Sequence, residues 1–288
     1  MYNNIIYYYM NCFRKKINNQ EINQVNNQEI KRLCLLIGIN YTGSDMPLNG
    51  CINDNKNLMN FLIKNNYYLP DEIIWMHDDL DSDDELYPTR QNIENKLDEL
   101  VQFSNNNKKT KIFIAYSGHG TSIEDLNQEE EDGRDEALCP VDCDDCGVIL
   151  DDYLRENFIN KLSKNTELFM MADACHSGTI CDLKYNLDII NKKLYNNYKD
   201  EKNKKDKKDK SSKNVKCSVV LISGCLDRQT SADAEVDDMY QGAMTRAFLN
   251  TFYKNISYFD LLNGMCNWLI ENDFEQVSQM SFSHQVDL

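Results

Sequence analysis

The sequence predicts an α/β fold, in which a mainly parallel central β-sheet carries helices on both faces. Short β-rich runs alternate along the chain with segments whose apolar residues recur at helical spacing, and this alternation is typical of parallel sheets. The 288 residues are enough for one large α/β domain or two small ones, and 41% of them are apolar, so a sizeable core can form.

The predicted strands are short runs bounded by turn-forming residues. They are RLCLLIGIN (32–40), DEIIWMHD (71–78), KKTKIFIAYSGHG (108–120), ELFMMADAC (167–175) and CSVVLISGC (217–225). The predicted helices carry apolar residues at helical spacing, the first with Asn53 or Asp54 near its cap and the second with Thr89 as its cap. They cover residues 52–66, 89–103, 151–163, 242–255 and 257–272.

Composition divides the chain further. Residues 1–30 are rich in Asn and Gln without a clear period, which predicts a disordered N-terminal extension. Residues 191–216 are rich in Lys and Asp with almost no apolar residues, which predicts a disordered linker or long loop. The predicted elements therefore lie in residues 31–190 and 217–288, which we expect to form one domain.

Charge and cysteine content exclude several classes of protein. The net charge of −16 argues against general nucleic-acid binding and suits a cationic substrate or a hard metal ion. No stretch approaches the ~20 apolar residues of a membrane span, and the N-terminus lacks the features of a secretory signal, so we expect a cytoplasmic protein without membrane contact. Its eleven cysteines are then expected to be thiols rather than disulfides. Cys139, Cys143 and Cys146 lie close in sequence, but no fourth ligand stands at zinc-site spacing, which favours free loop thiols over a structural zinc site.

Two glycine-turned motifs follow predicted strands, SGHG at 117–120 and DACHSG at 173–178. Sites on sheets of this kind form outside the carboxyl ends of the strands. Adjacent residues at a strand end point to opposite faces, so Cys175 and its neighbour His176 are a poor nucleophile–base pair. His119, which lies between two glycines at the end of another strand, is the better base.

A thiolate nucleophile also needs donors for the oxyanion that it creates, and the backbone amides of Gly120 and Cys175 can both point at one carbonyl oxygen. The same residues admit a structural interpretation, with Cys175 as a buried core thiol and His119 as a satisfied turn histidine. Two glycine-flanked motifs at the ends of neighbouring strands favour catalysis.

Five short blocks in a fixed order carry a resemblance to a known family. AYSGHGT, DEALCPVD, GVILDDYL, DACHSGT and ISGCLDRQTSADA together resemble the metacaspases, which are caspase-like cysteine peptidases, over about residues 32–288. The resemblance implies a caspase-like fold, a large-subunit-like (p20) region at 31–190 and a small-subunit-like (p10) region at 217–288. It also implies cleavage after Arg or Lys, and Ca²⁺ as cofactor. The short extension and short linker resemble type I members whose prodomain is reduced or missing.

The family's functional residues match positions of this sequence one at a time. The dyad matches His119 and Cys175. The substrate-binding (S1) residues match Cys51, Asp54, Ser117 and Asp173. The calcium ligands match Asp135, Asp151, Asp152 and Asp182. Carboxylates suit both assignments, because a buried cation needs a partner and because hard oxygen ligands suit Ca²⁺. An alternative interpretation of Asp151 and Asp152 is that they form the N-cap of the predicted helix.

We therefore expect a monomeric, calcium-dependent cysteine endopeptidase. Its substrates are expected to be proteins or peptides, which it cleaves after Arg or Lys. Two alternatives are a non-catalytic caspase-like scaffold, which intact His119 and Cys175 argue against, and cleavage after Asp, which would need a basic pocket. The Lys-rich linker predicts self-processing. Candidate sites are Lys192, Lys193, Lys199, Lys202, Lys204, Lys205, Lys207, Lys208 and Lys210, while a solvated linker that is never cut remains open.

Overall fold

The computed structural model describes residues 29–124, 134–175, 177–197, 215–224, 233–236, 239–253 and 256–288. The strands in this part of the chain are β1 (Lys31–Gly38), β2 (Ile73–His77), β3 (Thr110–Ser117), β4 (Gly120–Glu124), β5 (Arg134–Leu138), β6 (Ile149–Leu150), β7 (Thr166–Asp173), β8 (Tyr185–Asp188), β9 (Lys193–Asn196), β10 (Ser218–Ser223), β11 (Asp233–Val236), β12 (Met239–Gly242) and β13 (Gln279–Phe282). The helices are α1 (Cys51–Lys64), α2 (Arg90–Asn106), α3 (Cys143–Cys146), α4 (Asp151–Tyr153), α5 (Ala243–Thr251) and α6 (Tyr258–Glu271).

One mixed sheet organises these elements, with the strand order β2-β1-β3-β7-β10-β13-β8-β9. The first five strands of this order run parallel, and the last three continue the sheet through antiparallel pairs. Strand β3 is buried along its whole length because both of its faces are covered. The predicted α/β class and the mainly parallel sheet are therefore confirmed.

Helices cover both faces of the sheet, as predicted. On one face, α2 and the segment that follows β6 bury Leu97 and Phe158 against the strands. On the other face, α1, α5 and α6 bury Leu58, Phe248 and Leu261. Alternate strand residues supply the two cores, so each parallel strand is apolar on both sides. No helix in the described part of the chain is long and apolar enough to cross a membrane.

The predicted helix over 151–163 is only partly regular. After α4 the chain continues through a π-helical turn, Leu154–Phe158, and a 3₁₀ turn, Ile159–Lys161. The π turn carries Arg155, which is buried and donates through Nη1 to the carbonyl oxygens of Cys181 and Asp182, at 3.1 and 3.0 Å. An inward-facing arginine in this position is not visible in the spacing of apolar residues.

Residues 191–197 differ from the predicted linker, because they complete a β-hairpin. Strands β8 and β9 pair antiparallel at the outer edge of the sheet. Lys192 lies in the turn with a left-handed backbone (φ 49°), and its Nζ lies 4.6 Å from the ring centroid of Phe259. Hydrogen bonds and this cation–π contact order residues that composition assigns to a disordered segment. Residues 198–214, and residues 1–28 of the predicted extension, lie outside the described residues.

Candidate active site

The carboxyl ends of β1, β3 and β7 meet at one edge of the sheet. The parallel ladders pair Gly38 with Ser117, and Ser117 with Asp173. His119 and Cys175 each follow the paired Ser117 and Asp173 by two residues, so they leave the sheet from equivalent positions on neighbouring strands. The register thus brings together the histidine and the cysteine that the sequence predicts as base and nucleophile.

The half-buried ring of His119 is held on two sides. Its Nε2 lies 2.7 Å from the carbonyl oxygen of Met46, and its ring centroid lies 4.6 Å from that of Tyr41. A carbonyl oxygen only accepts hydrogen bonds, so Nε2 carries a proton. In the neutral ring, Nδ1 is therefore the nitrogen that can accept a proton from a nucleophile.

Two buried tyrosines support the turn that carries His119. The Tyr41 hydroxyl accepts from the His119 N–H at 2.9 Å and donates to the Cys139 carbonyl at 2.6 Å, while the Tyr116 hydroxyl donates to the His119 carbonyl at 2.7 Å. Burial raises the pKa of both phenols well above the usual value, so both remain protonated donors. A Cβ on Gly118 would lie 2.8 Å from both hydroxyl oxygens, so this position requires glycine.

Cys175 is half-buried in a tight turn directly after β7. The turn is stabilised by Ser177, whose buried Oγ lies 3.1 and 2.8 Å from the carbonyl oxygens of Ala172 and Ala174. A Cβ on Gly120 would overlap the carbonyl oxygen of Cys175, so the two motifs are in direct backbone contact and only glycine permits it. The role of Ser177, whose hydroxyl closes the turn that presents the thiol, is not visible in the sequence motif.

Asp54 and Asp173 converge beneath this edge, and both are buried, with 2% and 5% of their surface exposed. The Gly242 N–H donates to both Asp54 oxygens, at 2.9 and 3.0 Å, and the Thr245 N–H and hydroxyl donate to Asp173 Oδ2, at 2.8 and 2.9 Å. A Cβ on Gly242 would contact both carboxylates. The two acids therefore hold the amino end of α5, where the helix dipole favours negative charge.

Helix α1 presents Asp54 to the site. Asn40, in the loop after β1, accepts from the N–H groups of Cys51 and Ile52 at 3.0 and 3.3 Å, and so caps a helix whose own N-cap residue is glycine. The first turn packs closely on the sheet, because a Cβ on Gly38 would lie 2.7 Å from the Cys51 carbonyl oxygen. The predicted pocket residue Cys51 is thus buried at the same edge as Asp54.

Two buried polar side chains at this edge make no hydrogen bond with any described residue. They are Ser117, through Oγ, and Asn55, through both Oδ1 and Nδ2, with 1% and 0% of their surface exposed. Asn55 Nδ2 faces Gly38, the ladder partner of Ser117, so both lie on the sheet face that carries Asp173. A buried, unpaired polar group costs ~1–3 kcal/mol. Sequence reasoning missed Asn55, because nothing in a helix pattern shows which polar side chain packing leaves unpaired.

Of the predicted calcium ligands, Asp135 lies on β5, in the separate three-stranded sheet β4-β5-β6, and Asp182 lies in the loop between β7 and β8. Asp151 and Asp152 begin α4. Asp135 and Asp151 are buried, and Asp151 accepts from the N–H groups of Glu136 and Asp152, at 3.1 and 2.7 Å. Burial, together with the nearby carboxylates of Asp182 and Glu136, raises the pKa of Asp151 to about 8. Within the described residues, no three His, Cys, Asp or Glu side chains are already arranged to hold a metal ion.

The three clustered cysteines have different settings. Cys139 is buried, Cys143 half-buried and Cys146 exposed. Burial, with the Cys143 thiol as neighbour, raises the pKa of Cys139 to about 12, so its thiol is protonated at neutral pH. The visible role of Cys139 lies in its backbone, whose carbonyl accepts from Tyr41.

Other predicted positions are only partly described. Lys192 and Lys193 lie in the β8–β9 hairpin, so cleavage there would require the hairpin to open. The remaining candidate lysines, Lys199 to Lys210, and His176 lie outside the described residues.

Comparison with known proteins identifies the family to which the chain is similar. The family model for the metacaspase, peptidase C14 domain, matches residues 31–184. The chain is 33% identical to metacaspase-1A of Neurospora crassa over 92% of its own length, and 34% identical to metacaspase-1 of Saccharomyces cerevisiae over 90%. It spans 65% and 68% of the length of these two relatives.

Two solved structures align with most of the chain. A crystal structure of a Geobacter sulfurreducens protein aligns with a TM-score of 0.59 at 23% identity, covering 89% of this chain and 95% of that one. Caspase-1 of Spodoptera frugiperda aligns with a TM-score of 0.44 at 10% identity, covering 93% and 92%. The match over residues 31–184, together with the relatives above, shows that the chain belongs to the metacaspase family, and this membership confirms the predicted caspase-like fold.

Proposed function

We propose that the protein is a cysteine endopeptidase in which Cys175 is the nucleophile and His119 the base. The observation that carries this proposal is the register of β3 and β7, which sets both residues two positions beyond a paired Ser117 and Asp173. The supported orientation of the His119 ring adds to it, because Met46 fixes the tautomer that leaves Nδ1 as acceptor.

The reaction follows from these groups. His119 Nδ1 accepts the Cys175 proton, and the thiolate attacks the carbonyl carbon of the scissile peptide bond. The amides of Gly120 and Cys175 stabilise the oxyanion, and the imidazolium returns the proton to the leaving amine. A water molecule, deprotonated by His119, then hydrolyses the thioester and restores the thiol.

We assign the P1 side chain to the space beside Asp54 and Asp173, and we propose that it is Arg or Lys. Two buried carboxylates offer charge-assisted hydrogen bonds to a guanidinium or ammonium group. The unpaired amide of Asn55 and hydroxyl of Ser117 supply further partners on the same face, next to the buried Cys51. A P1 cation could donate to Asn55 Oδ1 and to Ser117 Oγ, two acceptors that make no hydrogen bond within the described residues.

We propose calcium as the cofactor, because the carboxylates of the acidic residues are ligands of the kind that Ca²⁺ binds. The raised pKa of Asp151 reflects its burial beside the carboxylates of Asp182 and Glu136, and oxygen ligands of this kind suit Ca²⁺. Asp151 and Asp182 would hold the ion, with Asp135 and Asp152 completing the set after side-chain movement. When bound, the ion would neutralise these charges and order the loop that joins Cys175 to Asp182.

Self-processing in the segment from Lys199 to Lys210 is part of the same proposal, because its lysines match the proposed P1 preference. The test of the whole proposal is a set of peptides that differ only in P1, with Arg, Lys, Asp or Ala, assayed with calcium and with chelator. Hydrolysis after Arg and Lys that requires calcium and Cys175 is expected. No hydrolysis by well-folded protein would indicate the scaffold alternative, and preferred cleavage after Asp would contradict the pocket.

A further inference from the structure

A buried arginine follows the two acidic residues that begin α4. Arg155 belongs to the π-helical turn Leu154–Phe158, which continues directly from α4, and only 5% of its surface is exposed. Single π-helical turns inside helical segments are rare and frequently mark functional positions. Arg155 stands four residues after Asp151, so one short helical segment carries both a proposed calcium ligand and this guanidinium group.

The Nη1 atom of Arg155 donates to two successive carbonyl oxygens in the loop that joins β7 to β8. The acceptors belong to Cys181, at 3.1 Å, and to Asp182, at 3.0 Å. These carbonyls are parts of the two planar peptide units on either side of the Asp182 Cα, so the contact fixes both backbone angles of Asp182. Within the described residues, Nε and Nη2 of the same guanidinium make no hydrogen bond, so its hydrogen bonds there are the two to this loop.

The backbone of Asp182 depends on such support. It is left-handed, with φ 47°, a conformation that is uncommon for residues other than glycine and persists where the surroundings hold it. Its neighbours Cys181 and Leu183 are buried, so their backbone groups need partners within the protein. The Asp182 N–H also donates to the Thr179 carbonyl oxygen, at 2.6 Å, which closes a turn on the side of Cys175.

The backbone angles of Asp182 decide where its carboxylate points. Asp151 lies in α4 and Asp182 lies in a loop, yet their carboxylates are near enough to interact. Arg155 connects these two elements, because it extends from the segment that carries Asp151 and holds the backbone that carries Asp182. The spacing of the two carboxylates therefore depends on a side chain that belongs to neither of them.

We propose that Arg155 is a positioning residue for calcium, which holds the Asp182 backbone so that the Asp151 and Asp182 carboxylates can bind one ion together. The inference rests on the calcium site proposed above. Arg155 acts only through Asp182, and it touches neither the ion nor the substrate. Partners that orient a metal ligand in this way typically change the metal affinity by about 10–100-fold when they are removed.

Calorimetric titration of calcium into Cys175→Ala protein, which cannot cleave itself, tests the inference without a measurement of activity. Arg155→Met removes the donor and keeps a long side chain. Arg155→Lys keeps a cationic donor, and because a single nitrogen makes both hydrogen bonds, an ammonium group can replace it. We expect Arg155→Met to raise the Kd for calcium by about 10–100-fold, and Arg155→Lys to raise it by less than about threefold.

Phe158→Leu is the matched control, because Phe158 lies in the same π-helical turn, is 1% exposed and has no polar side-chain atom. It should lower Tm through lost packing and leave the Kd for calcium unchanged. In protein that retains Cys175, Arg155→Met should shift the calcium dependence of peptide hydrolysis by the same factor as the Kd. At saturating calcium, its kcat should stay within about threefold of the parent value.

The outcomes separate this inference from the calcium site itself. Equal calcium affinity in the parent and in Arg155→Met would overturn the role of Arg155 and leave the calcium site in place. An equal loss of affinity in Arg155→Lys, or in Phe158→Leu, would assign the effect to packing and would also overturn it. If the parent binds no calcium, the calcium part of the proposed function fails, and the role of Arg155 fails with it.

Discussion

Replacing Asp173 with asparagine separates the two roles that the structure suggests for this carboxylate. Asp173 Oδ2 accepts from the N–H and the hydroxyl of Thr245 and so holds α5. Asparagine keeps the size and one oxygen acceptor but removes the charge. If Asp173 only anchors the helix, the substitution lowers kcat/KM to the same extent for all substrates. If Asp173 also binds the P1 side chain, the substitution lowers kcat/KM mainly for cationic substrates.

The magnitude follows from the contacts. A hydrogen bond to a charged group contributes ~1.5–3 kcal/mol, so losing one to a P1 cation lowers kcat/KM for Arg and Lys substrates by about 10–150-fold. Substrates with a neutral P1 residue never make that contact, and we expect their kcat/KM to change by less than about threefold. A neutral amide oxygen accepts weaker hydrogen bonds from Thr245 than a carboxylate does. We therefore expect Asp173→Asn to lower the free energy of unfolding by ~1 kcal/mol, which lowers Tm by about 2–4 °C in a chain of this size.

The assay compares kcat/KM for a P1 series with Tm for each variant. Thr245→Val is the matched control, because it removes one hydrogen bond to the same oxygen and leaves the charge in place. It should lower Tm by a similar amount and preserve the ratio of Arg to neutral cleavage. Equal losses across all P1 residues in Asp173→Asn, or the same change of ratio in Thr245→Val, would refute the pocket.

Further predictions concern the dyad, the metal and the linker. Cys175→Ala should abolish hydrolysis at unchanged Tm, and His119→Ala should lower kcat by ~10²–10⁴-fold; residual activity in Cys175→Ala above background would contradict the assignment. Calcium should raise both activity and Tm with half-saturation near ~10⁻⁴–10⁻³ M, and Asp151→Ala with Asp152→Ala should remove both responses; full activity in excess chelator would exclude the cofactor. With calcium, mass spectrometry of new termini should find cuts after lysines in residues 198–214 that are missing in Cys175→Ala, and cuts after other residues would point to another protease.

The fold was predictable where long periodic segments and glycine turns mark it. The strands leading to His119 and Cys175 are apolar runs that end at small residues, so their type and their shared edge follow from the sequence. Strands β8, β9 and β13 have four residues each, too few for a period, and β9 begins in a lysine-rich stretch. Pairing at the sheet edge, rather than local composition, makes them strands.

The candidate site was likewise predictable only in part. The acids Asp54 and Asp173 were predictable by residue type, but their convergence on Gly242 depends on a helix that lies nearly two hundred residues after Asp54 in the chain. Tyr41, whose hydroxyl accepts from the His119 N–H, has a left-handed backbone that no apolar pattern predicts. That Asn55 has no hydrogen-bond partner is likewise a result of packing, which a helix pattern does not encode.

The strand order has a consequence for a chain that has been cut. Residues before the 198–214 segment supply β7 and also β8, while residues after it supply β10 and β13, and the order β7-β10-β13-β8 interleaves the two. Two fragments made by a cut in this segment cannot separate by breaking one ladder, because β10–β7 and β13–β8 must both open. The hydrogen bonds from Gly242 to Asp54 and from Thr245 to Asp173 connect the two fragments at a third place. A nicked protein should therefore run as two bands in denaturing gels and elute as one particle of undiminished size under native conditions, with the dissociation of its fragments as slow as global unfolding.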